Sequence, residues 1–286
     1  KIVKTGFGRP SVFNTAAIIQ ELMRQGKEIT DARNGGASGC VESGAFGTES
    51  YILTGYFNLP KILEVTLHNG VDPRTGRKIG LSTGEPETLT SWEKLMEAFR
   101  RQVNHFAGIK IRGSNHIESI FMEHVPTPFL SLIIDDCVAR GTDYLCGGAR
   151  YNTNYIQGVG LGTLTDSLTA LQKVVFGEGA MPLAQFRDAL AADFEGHEEL
   201  RYRLVYKMPK YGNDDPEADH HLSEAFESYY QAVNGHTSPR GATYRINLLP
   251  TTCHIYFGSV LGASADGRKA GQPVSEGISP VQGADT

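Results

Sequence analysis

Asn34-Gly35-Gly36-Ala37-Ser38-Gly39-Cys40-Val41-Glu42-Ser43-Gly44 is the stretch on which the reading of the whole chain turns. With Gly47 just beyond, its glycines suit a loop that turns tightly, visits positive φ and brings backbone and thiol close to another segment. Such a loop presents a side chain; it does not build a core. An arbitrary cysteine is read first as a small buried hydrophobe. Cys137, in Leu132-Ile-Ile-Asp-Asp-Cys137-Val138, and Cys253, in Leu249-Pro-Thr-Thr-Cys253, fit that reading. Cys40 does not, because its neighbours are Gly, Ala, Ser, Val and Glu rather than a periodic apolar stripe. In extended backbone residues i and i+2 project to one side, so the Cys40 thiol and the Glu42 carboxylate would face one substrate together. That pairing suggests radical or nucleophilic sulfur chemistry coupled to proton transfer; the competing reading of Glu42 is a solvated loop acid.

The 286 residues, 40% of them hydrophobic, suffice for one large domain or two ordinary ones. A formal net charge of −5 leaves no basic footprint, so no nucleic-acid partner is expected. None of the four cysteines forms a C-x-x-C pair, which argues against a disulfide framework or a zinc ribbon and for a reducing compartment. No apolar run approaches the roughly 18 residues a membrane span needs, and no signal-peptide core is present, so a soluble, cytoplasmic protein is expected. The chain opens on Lys1 and reads as an internal piece of a longer protein.

Working outward, Asn14 predicts an N-cap for a helix through Ile18, Ile19, Leu22 and Met23 that stops at Gln25-Gly26. Pro60 suits the first residue of a helix through Leu67, stopped by Asn69-Gly70, and 70–88 reads as a surface loop. Thr90-Ser-Trp-Glu93 looks like a capping box opening a long amphipathic helix with Trp92, Leu95, Met96, Phe99, Val103 and Phe106 on its stripe. The periodicity resumes over Ile117, Ile120 and Phe121 until Pro126 and Pro128 end it. Gly158-Val-Gly-Leu-Gly162 mimics a dinucleotide motif, but its G-x-G-x-G spacing is wrong for one. Thr165 or Asp166 is expected to cap a helix over Leu168, Leu171, Val174 and Val175, and Leu183 to Phe194 forms another. Asp214 to His221 could suggest a metal site, yet adjacent histidines point to different helix faces; a solvated helix start and no metal are expected. Tyr244 to Phe257 shows short β-like alternation broken at Pro250.

Gly39-Cys40-Val41-Glu42 resembles the thiyl-radical loop of the glycyl radical enzymes, the pyruvate formate-lyase-like family. Ser43 to Val65, Asp135-Asp-Cys137, Gly147 to Gln157, Gly162 to Leu168, Asp266 to Ala270 and Gly277 to Asp285 are most similar to the branch that dehydrates trans-4-hydroxy-L-proline. The resemblance runs from end to end. It implies an α/β fold in which residues 1–286 are an internal part of one catalytic domain: part of a ten-stranded barrel with helices outside and the Cys40 loop inside. It implies Cys40 as the thiyl, Glu42 as the acid/base, and Tyr56 and Thr251 as substrate contacts; for Tyr56 taken alone a packed tyrosine is the alternative. His254 is read as a satisfied structural histidine. The cofactor implied is a protein glycyl radical, absent from this sequence and installed by a radical S-adenosylmethionine activating enzyme. The expected assembly is a homodimer acting on a small molecule.

Gly39 stands where pyruvate formate-lyase carries a second cysteine, which disfavours acyl transfer and favours elimination from hydroxyproline, glycerol, propanediol, choline or isethionate. No Arg-Val-x-Gly-Tyr-type loop occurs, so this stretch by itself is expected to be inactive, and a catalytically inert truncated fragment is the alternative from another class. A conventional cysteine hydrolase lacks a recognisable paired base.

Overall fold

The computed structural model describes residues 13–39, 41–177, 180–248 and 252–285. It is an α/β structure. Asn14 accepts from the Ala17 amide and starts α1 (Thr15–Arg24), which is followed by α2 (Ile29–Arg33). β1 (Gly36–Ser38) and β2 (Glu42–Gly44) form an antiparallel hairpin, and β3 (Glu49–Asn58) follows directly. Asn58 caps α3 (Leu59–Leu67) by accepting from the Lys61 amide, with Pro60 in the first turn where its missing N–H costs nothing. Positive φ at Asn69 and Gly70 then turns the chain out of the helix.

The expected loop over 70–88 contains a small antiparallel pair, β4 (Val71–Asp72) with β5 (Arg77–Lys78), and a 3-10 turn at Pro86–Thr88. α4 (Trp92–His124) is one continuous helix where two periodic segments were expected. Its start is capped one residue later than the Thr90/Glu93 pattern indicates: Ser91 Oγ accepts from the Lys94 amide. Ile117, Ile120 and Phe121, read as a stripe, are about half exposed. α5 (Pro128–Ile133) and α6 (Cys137–Arg140) lead to β6 (Tyr151–Val159).

α7 (Leu161–Val175) corrects the sequence reading. It begins at Leu161, behind Gly160 at φ +85, so Thr165 and Asp166 are buried in its interior and are not its cap. A Cβ at Gly160 would lie 2.6 Å from the Pro60 ring, which is why the strand can pass straight into a helix there only through glycine. α8 (Leu183–Ala191), α9 (Glu198–Tyr206) and α10 (Pro216–Val233) follow. Asp215 caps α10, but His221 is fully buried rather than solvated: Nδ1 meets Glu224 and Nε2 meets Gln172. β7 (Thr243–Asn247) precedes α11 (Cys253–Ser259), a helix where alternation was expected to continue. β3, β6 and β7 form a three-stranded sheet in the order β3-β6-β7; with the two hairpins, no closed sheet is present among the described residues.

The chain divides into two compact units. Residues 54–114, 156–236 and 245–286 form one, with an apolar centre. There α7 is buried on nearly every face by α10 and α3, with Leu59, Leu63, Leu164, Leu168, Leu171 and Tyr229 at most 4% exposed. Burial of that completeness contributes about 1.5–3 kcal/mol per large apolar side chain. Tyr229 stacks on Phe57 at 5.3 Å and donates to the Ile156 carbonyl. Cys253 packs against Val159, Leu261 and Val274, as the packing reading expects. Residues 1–53, 115–155 and 237–244 form the other, whose centre is polar. Its Arg240 side chain is fully buried and donates to Glu118, Ser50, Asn152, Asn154 and the Thr153 carbonyl. Burial pulls the Arg240 guanidinium below its usual range, while the Glu118 charge pulls it up. No helix among the described residues is long and apolar enough to cross a membrane.

Candidate active site

The hairpin carries the site. Ser38 pairs with Glu42, Ala37 with Ser43 and Gly36 with Gly44, so Gly39 and Val41 stand inside the closing Ser38–Glu42 pair, on either side of Cys40. Gly39 takes φ +61, and a Cβ there would sit 2.7 Å from Glu42 Oε2. The Val41 amide donates to the same oxygen at 3.3 Å. The Glu42 carboxylate therefore folds back over both chain neighbours of Cys40, and at 6% exposure it is a buried acid, not a solvated one. Cys40 itself lies outside the described residues, as does Thr251.

Three anchors hold this hairpin within its unit. The Tyr51 ring of β3 lies flat against Gly44, where a Cβ would come within 2.5 Å of ring carbons, and its hydroxyl meets Ser38 Oγ at 2.7 Å. Burial pushes the Tyr51 phenol above its usual range, while the Ser38 hydrogen bond pulls it down. Tyr155 of β6 donates to the Ser43 carbonyl at 2.8 Å. Beyond β2 the Glu49 carboxylate accepts from the Ala45 amide at 2.7 Å and Thr153 Oγ1 at 2.6 Å, and pairs with Lys27 at 3.0 Å in full burial. Those bonds satisfy a carboxylate that would otherwise be costly to bury.

Of the other residues expected at the site, Tyr56 lies on β3 in the unit formed by residues 54–114, 156–236 and 245–286 and is 38% exposed. Thr252, the neighbour of Thr251, stands at the start of α11 in the same unit. His254 on α11 approaches Glu276 at 3.6 Å, in keeping with a structural role. The remaining described cysteines make poor thiolates where a shift is resolved: burial and the Asp143 charge push Cys137 and Cys146 upward. No group of three His, Cys, Asp or Glu among the described residues could hold a metal. Tyr51, Tyr155 and Glu49 were not singled out by sequence reasoning. Their signal was the polar and aromatic content of strands that a core would make apolar.

The fold agrees with that of known proteins. The chain is 53% identical over all 286 residues to trans-4-hydroxy-L-proline dehydratase of Clostridioides difficile, covering 36% of that protein. It superposes on the crystal structure of C. difficile hydroxyproline dehydratase with trans-4-hydroxy-L-proline bound at TM-score 0.95, over 97% of this chain and 35% of that one. The glycerol-bound B12-independent glycerol dehydratase of Clostridium butyricum matches at TM-score 0.94 and 36% identity, over 99% of this chain and 36% of that one. The chain thus spans about a third of the length of the relatives it matches. Residues 1–258 match the family profile described as pyruvate formate lyase-like, and the chain belongs to that family.

Proposed function

We propose that the protein carrying this chain is a glycyl radical lyase that dehydrates trans-4-hydroxy-L-proline to pyrroline-5-carboxylate. The observation that carries the reading is the buried Glu42 carboxylate folded over the neighbours of Cys40, within a chain 53% identical to the hydroxyproline enzyme. A protein glycyl radical, installed by a radical S-adenosylmethionine activating enzyme, would supply the unpaired electron to the Cys40 sulfur. The fit of the turn to that role rests on its construction: a positive-φ glycine on one side of Cys40 and an acid on the other, with no competing thiol next to it.

Cys40 takes a hydrogen atom from the ring carbon beside the nitrogen, breaking C–H and making S–H. Glu42 donates a proton to the neighbouring hydroxyl, which departs as water, and the return of one hydrogen atom from Cys40 and release of one proton balance the elimination. Tyr56 and Thr251 orient the substrate. A carbon radical must be shielded from water and oxygen, so the enzyme works anaerobically. The same reading takes it to be a cytoplasmic homodimer.

The test uses the full-length protein, activated anaerobically. Wild type should consume trans-4-hydroxy-L-proline and form pyrroline-5-carboxylate; Cys40→Ser should form none, and Glu42→Gln should lose at least about a hundredfold in kcat. Wild type that carries the radical signal but turns over glycerol instead would move the substrate to that of the C. butyricum relative.

A further inference from the structure

Each strand of the β1–β2 hairpin is pinned by one tyrosine hydroxyl from the sheet. Tyr51 of β3 reaches Ser38 on β1, and Tyr155 of β6 reaches the Ser43 carbonyl on β2. The pins act at the two ends of the turn. Ser38 and Glu42 are the register pair that closes it, and Ser43 is the residue next to Glu42.

The backbone of the hairpin alone cannot fix the turn. Each strand is three residues long, and an isolated two-stranded ribbon of that size is not stable in water. Gly36, Gly39 and Gly44 add conformational freedom that some outside contact must remove. Glycine is required where the Tyr51 ring lies: a Cβ at Gly44 would meet the ring at 2.5 Å. The small residue and the aromatic ring are thus one device, letting the phenol pass over β2 to reach β1.

We propose, building on the dehydratase reading above, that Tyr51 and Tyr155 are positioning residues that hold Gly39, Val41 and the Glu42 carboxylate, which flank Cys40 in the chain, in one register for hydrogen-atom and proton transfer. Neither needs to touch substrate. A neutral hydrogen bond of ordinary net strength shifts a local open/closed equilibrium by about two- to tenfold, which sets the effect to look for.

The experiment reads the turn without relying on turnover. In unactivated full-length protein, iodoacetamide alkylation of Cys40 is followed by peptide mass spectrometry for wild type, Tyr51→Phe, Ser38→Ala, the double variant and Tyr155→Phe. Buried Cys137, in the same unit, is the internal control. Tyr51→Phe should raise the Cys40 rate about two- to tenfold and leave Cys137 unchanged. Ser38→Ala should do the same, and the double variant should add nothing, because all three remove one bond. In the activated enzyme kcat should fall by a similar factor with KM changed less. Unchanged Cys40 rates in Tyr51→Phe and Tyr155→Phe overturn the proposal, and so does a parallel rise at Cys137, which would report general loosening. If Tyr51→Phe does not fold, Ser38→Ala removes the same bond from its smaller end and decides in its place. Failure of wild type to act on hydroxyproline would overturn the substrate reading alone, since the alkylation rates stand without it.

Discussion

Asp166 lies inside α7 at 1% exposure, and its environment makes helix stability depend on pH in an unusual direction. Oδ1 accepts from the Tyr211 amide at 2.9 Å, while Lys210 Nζ is 3.7 Å from Oδ2, within ion-pair range but too far to bond. Oδ2 has no hydrogen-bond partner among the described residues, and the Lys210 ammonium instead donates to the Asp266 carbonyl. Burial, reinforced by the Asp266 charge and only partly offset by Lys210, pushes the carboxyl from 3.8 up to about 7. Below about pH 3.8 folded and unfolded chains both hold the proton; between there and about 7 only the folded chain does, so the stabilising contribution is lost as pH rises through that window. At about 1.4 kcal/mol per pH unit the full window corresponds to about 4 kcal/mol. Asp166→Asn cannot titrate and should lack this slope. The assay is hydrogen exchange of the α7 amides in the unactivated full-length protein, wild type against variant at each pH, so that intrinsic exchange cancels. Wild-type protection relative to the variant should fall by up to about tenfold per pH unit, roughly fiftyfold from pH 5 to 7, and level off above about 8. A ratio flat from pH 5 to 8 refutes the reasoning.

Glu118→Ala leaves the buried Arg240 guanidinium without its counter-charge and should destabilise the protein by about 3–5 kcal/mol, read as a lowered denaturation midpoint. Gly44→Ala forces a Cβ into the Tyr51 ring, so the hairpin must shift; kcat in the activated enzyme should drop at least about tenfold, with stability reduced by about 1–3 kcal/mol in thermal melts. Tyr229→Phe leaves the buried Ile156 carbonyl without the hydroxyl it accepts from and should cost about 1–3 kcal/mol by the same melts.

Those features differ in how far a reader of the sequence could have found them. Local signals translated directly: Asn14 and Asp215 cap their helices, and Pro60 sits in the first turn of α3. Each depends on residues a few positions apart. What failed depends on partners far along the chain. The Leu164-Thr-Asp-Ser run of α7 looks like a helix start because Thr and Asp favour caps; only the packing of α3 and α10 and the arrival of Lys210 make it a helix interior. His221 looks solvated until Gln172 from α7 reaches its ring. The hairpin pins were hidden for the same reason: Tyr155 and Ser43 are joined only by the folded chain.

The interior of α7 also bears on how this helix can drift in evolution. Thr165 and Thr169 return their hydroxyl hydrogens to the carbonyls of Leu161 and Thr165, four residues back on their own helix. Those carbonyls also serve the helix ladder, so a valine at either position strands no acceptor and presents neighbouring helices with nearly the same surface. At these two positions a polar residue thereby behaves toward its surroundings as an aliphatic one. Threonine can therefore give way to valine at these two positions with little coupling to the rest of the core, whereas Asp166, next to Thr165, faces the Lys210 charge at 3.7 Å and must change in concert with it.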